Sequence, residues 1–130
     1  MKPTLLLLDS DAKLLELYRL ELEAEGYDLH LALNAGELDR KLQNNRYDVI
    51  ILDLRMPQET EIDALRNTIL RNPGATVLLN TTYHFYRRNL LAWKAHLVRS
   101  RSVRDLKLAI KKVLAVRFHQ DPAFELPAIA

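Results

Sequence analysis

Cysteine is absent from this 130-residue chain. Without a thiol there is no disulfide, no thiolate metal ligand and no cysteine nucleophile, and the composition suits a reducing compartment. Four scattered histidines, His30, His84, His96 and His119, lack the paired spacing of a histidine-ligated metal site. Long hydrophobic runs are missing as well. The leucines that open the chain stop at Asp9, too early for a secretory signal and far short of the ~20 residues of a membrane span. A soluble, cytoplasmic protein with no membrane partner is expected.

What is present is 48% hydrophobic residues, enough for one compact domain. The formal charge of +2 conceals a division. Residues 1–65 carry 7 Lys/Arg against 14 Asp/Glu, whereas residues 66–130 carry 12 against 3. An acidic half joined to a basic half is not the even cationic surface of a nucleic-acid binder. The basic stretch Arg99, Arg101, Arg104, Lys107, Lys111, Lys112 and Arg117, with Arg87 and Arg88 before it, reads as a solvated helix face. No nucleic-acid module can be placed after residue 118, so no nucleic-acid binding by this domain is expected.

The apolar residues alternate between two periods. Thr4–Leu8 and Tyr47–Leu52 are continuous apolar runs, the signature of strands buried on both faces. Tyr27–Leu33 alternates, with Tyr27, Leu29, Leu31 and Leu33 predicted on one face. Thr76–Leu79 and His96–Val98 are predicted as the fourth and fifth strands. Between them lie helical stripes. Ser10 or Asp11 caps the first, which carries Leu14, Leu15, Tyr18 and Leu22 and stops at Gly26. Asn34 to Glu37 starts the second, and Ile62, Leu65 and Ile69 mark a third closed by Asn72-Pro73-Gly74. Phe85–Lys94 is predicted as a fourth, its Phe85, Tyr86 and Trp93 read as packing residues with a partner contact as the alternative. Ser102 to Asp105 caps the last, which turns Val103, Leu106, Ile110, Val113 and Leu114 inward. Five βα units predict an α/β doubly wound parallel sheet with helices on both faces.

In such a sheet, ligands bind beyond the carboxyl ends of the strands. Strand one ends in Asp9-Ser10-Asp11, strand three in Asp53 and strand four in Asn80-Thr81-Thr82. Carboxylates meeting in one crevice repel unless a cation lies between them, and an all-oxygen site suits Mg²⁺. A carboxylate beside Mg²⁺ is also a nucleophile toward phosphorus. Asp11 taken alone reads as an ordinary helix cap.

Leu5–Asp9, then Tyr47–Pro57 with its Asp-Leu-Arg-Met-Pro end, then Thr81-Thr82-Tyr83 resemble the receiver domain of bacterial two-component response regulators. The resemblance implies a flavodoxin-like fold of strand order 2-1-3-4-5, a receiver-like domain over residues 1–120 and an extended tail over 121–130. It implies phosphorelay signalling: Asp53 as phosphoacceptor and Thr81 as the switch hydroxyl. Mg²⁺ would be held by Asp9, Asp53 and the Arg55 backbone carbonyl. It also implies a histidine kinase or phosphotransfer protein as donor, and a downstream protein or second copy on the 85–117 surface. Such a domain is not an enzyme beyond its own phosphotransfer.

The chain departs from the pattern at several positions. The second acidic metal ligand falls on Ser10, a weaker neutral ligand, with Asp11 one residue further on, so weak Mg²⁺ binding is expected. Arg99-Ser100 stands where the family has Lys-Pro, and the charge is kept while reach changes. Glu61 replaces a loop glycine, and His96 sits at the aromatic switch position. A phosphorylation-independent pseudo-receiver is therefore the second reading. Asp9-x-Asp11 also resembles the first motif of haloacid-dehalogenase-type phosphatases, with Asp9 as nucleophile and Asp11 as acid/base. Against that stand the short chain, Lys13 in a motif position and no paired acids after strand four.

Overall fold

The two continuous apolar runs form the centre of a five-stranded sheet. The structure is a computed structural model that describes residues 2–53, 63, 66–68, 70–80, 95–98 and 102–119. Strands β1 (Thr4–Leu8), β2 (Asp28–Ala32), β3 (Val49–Asp53), β4 (Thr76–Asn80) and β5 (Ala95–Val98) are all parallel, in the order β2-β1-β3-β4-β5. Helices α1 (Ala12–Ala24) and α2 (Ala35–Asn44) follow β1 and β2, and α3 (Val103–His119) follows β5. The predicted doubly wound order is the observed one.

Successive strand side chains point to opposite faces, so each central strand serves two cores at once. Leu5, Leu7, Val49, Ile51 and Leu78 pack with Leu15, Tyr18 and Leu22 of α1 and with Leu106, Ile110 and Val113 of α3. Leu6, Leu8, Ile50, Leu52, Val77 and Leu79 face the other way, against Leu38 of α2 and Tyr47. Burying such a side chain contributes roughly 1.5–3 kcal/mol. That is why two runs without alternation take the middle of the sheet.

Local chemistry sets the helix ends. The Asp11 carboxylate accepts from the Lys13 and Leu14 amides, at 2.9 and 3.3 Å, and caps α1. Gly26 closes that helix at φ +92°, where its N–H reaches the Glu23 carbonyl and the Tyr27 N–H reaches Leu22. Asn34 accepts from the Glu37 amide while the Glu37 carboxylate accepts from the Leu33 amide, a reciprocal cap on α2. Ser102 accepts from the Asp105 amide at 3.2 Å at the start of α3.

Several strand boundaries differ from the predicted ones. Leu33 does not continue the buried row of β2. The strand ends at Ala32, and Leu33 is 39% exposed with its amide committed to the α2 cap. On the other side of the sheet β4 runs one residue longer than Thr76–Leu79 and includes Asn80, while β5 begins at Ala95. Of the helix predicted between β3 and β4, Asp63, Arg66–Thr68, Leu70 and Arg71 are helical. Its stripe residues Ile62, Leu65 and Ile69 lie outside the described residues, as do Phe85–Lys94 and the tail 121–130.

Candidate functional site

The site lies at the carboxyl end of the two central strands. Leu8 pairs with Leu52, so Asp9 and Asp53 are the next residues on adjacent strands, whose backbones lie roughly 5 Å apart. Asp9 is 2% exposed. Its amide donates to the Ala32 carbonyl at 3.1 Å, and its Oδ1 accepts from the Asp11 amide at 2.9 Å. Oδ2 is equally buried and accepts no hydrogen bond among the described residues. A buried carboxylate oxygen without a donor is costly unless a cation or water completes it.

Asp53 pairs with Asn80 across β3 and β4, and the Asn80 side-chain Nδ2 lies 3.4 Å from Asp53 Oδ2. Asn80 is 7% exposed. It is the residue whose contact with Asp53 the sequence reading missed, although its position was visible as the first polar residue after an apolar run. Ser10 is exposed at the rim, and Asp11 has its Oδ1 on two helix amides. The structure therefore brings together Asp9, Asp53 and Asn80. Arg55, Thr81 and Arg99, like Glu61 and Ser100, lie outside the described residues.

Among the described residues, no group of three or more His, Cys, Asp or Glu side chains could hold a metal ion. Two adjacent strand-end carboxylates, one with a buried oxygen that has no partner among the described residues, still match the donor set of Mg²⁺, which uses one or two carboxylates and keeps several waters. The residues present fit that ion, with Ser10 leaving the set one charge short.

Part of the charge division is answered inside the chain. Lys107 of α3 reaches Glu21 at 2.7 Å and Glu25 at 3.4 Å, and Lys111 reaches Glu25 at 3.6 Å. Lys111 first and Lys107 next hold the Glu25 carboxyl below its usual range. The bond to Glu21 raises the Lys107 ammonium. On β5, burial pushes the His96 imidazole below its usual range.

An open parallel sheet of this order, with carboxylates ending its two central strands, defines a flavodoxin-like domain with its site at the topological switch point. Residues 5–99 match the response regulator receiver domain family, and the chain belongs to that family. It is a receiver domain of two-component signalling. It is 31% identical over 117 residues, 87% of its length, to the alginate biosynthesis transcriptional regulatory protein AlgB of Pseudomonas syringae pv. tomato. The chain spans 26% of that regulator's length. A receiver domain protein (CheY-like) from Methanospirillum hungatei superposes with a TM-score of 0.79 at 24% identity, covering 93% of this chain and all of that one. The response regulator TrrA of Thermotoga maritima, solved in complex with Mg²⁺ and BeF, gives 0.69 at 32% identity over 87% of this chain and 99% of its own. TrrA has also been solved in complex with the histidine kinase ThkA, with a TM-score of 0.70 to this chain. Among the described residues, no helix is long and apolar enough to cross a membrane.

Proposed function

We propose that this receiver accepts a phosphoryl group on Asp53 from a phosphohistidine of a histidine kinase or phosphotransfer protein. The observation that carries the reading is the buried Asp9 Oδ2, which accepts no hydrogen bond among the described residues and lies beside the strand that ends in Asp53. A carboxylate oxygen of Asp53 attacks phosphorus, the phosphorus–nitrogen bond breaks, and the imidazole leaves with the electron pair. Asp9, Asp53 and the Arg55 carbonyl would hold Mg²⁺, with Ser10 and Asp11 contributing at most weakly. When bound, that ion supplies the positive charge that lets phosphoryl oxygens approach two carboxylates. Thr81 would hydrogen-bond the phosphoryl group, and the Arg99 guanidinium would pair with it. The repacked 85–117 surface would then engage a downstream protein or a second copy.

Residues 1–120 form the receiver in this reading and 121–130 a tail. The domain acts in the cytoplasm and catalyses nothing beyond its own phosphotransfer. Capping by Asp11 favours this over a phosphatase, since its Oδ1 is engaged by two amides. A phosphorylation-independent pseudo-receiver is favoured by one observation, Ser10 at the rim in place of a carboxylate. Incubation with acetyl phosphate and Mg²⁺ separates the two. The expected result is one phosphoryl adduct by intact mass, absent in Asp53→Asn. Its absence in the wild-type chain, with no beryllofluoride-induced change in Trp93 fluorescence, selects the pseudo-receiver.

A further inference from the structure

We propose that Asn80 is a positioning residue for the phosphoacceptor, holding Oδ2 of Asp53 and shortening the lifetime of the aspartyl phosphate. The inference rests on the reading of Asp53 as phosphoacceptor and deepens it. Asn80 is the register partner of Asp53, its Nδ2 lies 3.4 Å from Oδ2, and it is 7% exposed. Its backbone is paired to β3 on one side and to Val98 of β5 on the other, so the side chain starts from a fixed point. An amide N–H is a donor without charge. An amide does not ionise near neutral pH, so it remains a donor throughout the reaction.

The geometry divides the two oxygens of Asp53. With Oδ2 facing the amide, the bond to phosphorus forms at Oδ1, and Oδ2 becomes the acyl carbonyl oxygen of the adduct. In hydrolysis, water attacks phosphorus, the Oδ1–phosphorus bond breaks, and the electron pair returns to the carboxylate. The protons of that water leave on inorganic phosphate and to solvent. Negative charge grows on both carboxylate oxygens as the bond breaks, so the Asn80 donor stabilises the transition state more than the neutral acyl carbonyl. Removing the donor slows phosphoryl loss. Replacing it with another short donor does not.

The test compares the wild-type chain with Asn80→Leu, which keeps the volume, and Asn80→Ser, which keeps a donor. Each is phosphorylated with acetyl phosphate and Mg²⁺, freed of donor, and followed by intact mass, with thermal melts recorded in parallel. The expected half-life of the Asn80→Leu adduct is about fivefold longer than wild type, the effect of one modest hydrogen bond on a rate. Asn80→Ser should fall near the wild-type value. Equal lifetimes in wild type and Asn80→Leu overturn the proposal, as does equal lengthening in both variants, which assigns the effect to side-chain size. Absence of any adduct on the wild-type chain overturns the phosphoacceptor reading itself, and the two failures are thereby distinct. Should Asn80→Leu not fold, the side-chain amide signal of Asn80 in the labelled wild-type chain decides: a shift on adding Mg²⁺ and beryllofluoride supports the role, and an unmoved signal overturns it.

Discussion

The two ends of the sheet treat their carboxylates differently. At the amino end, Asp48 precedes β3, and its Oδ2 accepts from the Thr4 amide at 2.9 Å. Its own amide donates to the Thr4 carbonyl and its carbonyl accepts from Thr76, so one residue ties three strands together. At the carboxyl end, Asp9 is more deeply buried than Asp48, yet one of its oxygens accepts nothing among the described residues. Nearby polar side chains at the amino end are also spent on backbone: the amides of Asn45 and Asn72 donate to the Lys41 and Thr68 carbonyls. The contrast separates a carboxylate whose bonds tie strands together from one with an oxygen unanswered among the described residues, as the proposed metal site requires. A fold selected for stability alone would satisfy both ends, and sites are where that consistency is given up.

Mutations at the two ends should differ in sign. Asp48→Ala removes a charged acceptor from the Thr4 amide and should cost about 2 kcal/mol of stability, read by denaturant unfolding. A neutral result would dissolve the distinction between the ends. Ser10→Asp restores a second carboxylate beside Asp9 and should tighten Mg²⁺ about tenfold in a titration, because ligand charge count sets affinity. Asp9→Asn removes a buried charge and should stabilise the metal-free chain by about 1 kcal/mol while weakening Mg²⁺ binding. Loss of stability in metal-free Asp9→Asn would show that Asp9 is satisfied by its own fold, as Asp48 is.

The smallest expected effect lies on the α1–α3 face. Glu25 is depressed by Lys111 and Lys107, so its pairing stabilises the fold at neutral pH and is lost as pH falls through the depressed value. Lys107 is raised, so its share persists through neutrality and is lost only as pH rises through its own raised value. Glu25→Gln should lower the melting temperature slightly at pH 7 and not at all in acid, and added salt should shrink the difference. A difference that persists in acid would mean that Glu25 acts by packing and not by charge.

Much of this was legible beforehand because the signals are local. A run such as Leu5–Leu8 has no polar face, so it must lie between two layers, and Asp11 and Gly26 end and begin segments through their own backbone chemistry. Asp9 and Asp53 stood out because each interrupts such a run. The exposure of Leu33 was hidden, since alternation continues past the strand and only the α2 cap takes its amide away. The contact of Asn80 with Asp53 was hidden too, because it depends on the register between β3 and β4 and no single segment contains it.

The charge division shows the same boundary. Composition alone determined that one half is acidic and the other basic, and the apolar pattern determined a parallel doubly wound sheet with carboxylates at its strand ends. Only the tertiary structure decided where those charges go. It lays α3 against α1, so that Lys107 and Lys111 meet Glu21 and Glu25, and it sets Asp9 beside the strand that ends in Asp53 with one oxygen unanswered among the described residues. The physical reason is distance along the chain: propensity and periodicity act over a few residues, whereas these pairings join residues more than forty apart, which only packing brings within hydrogen-bonding reach.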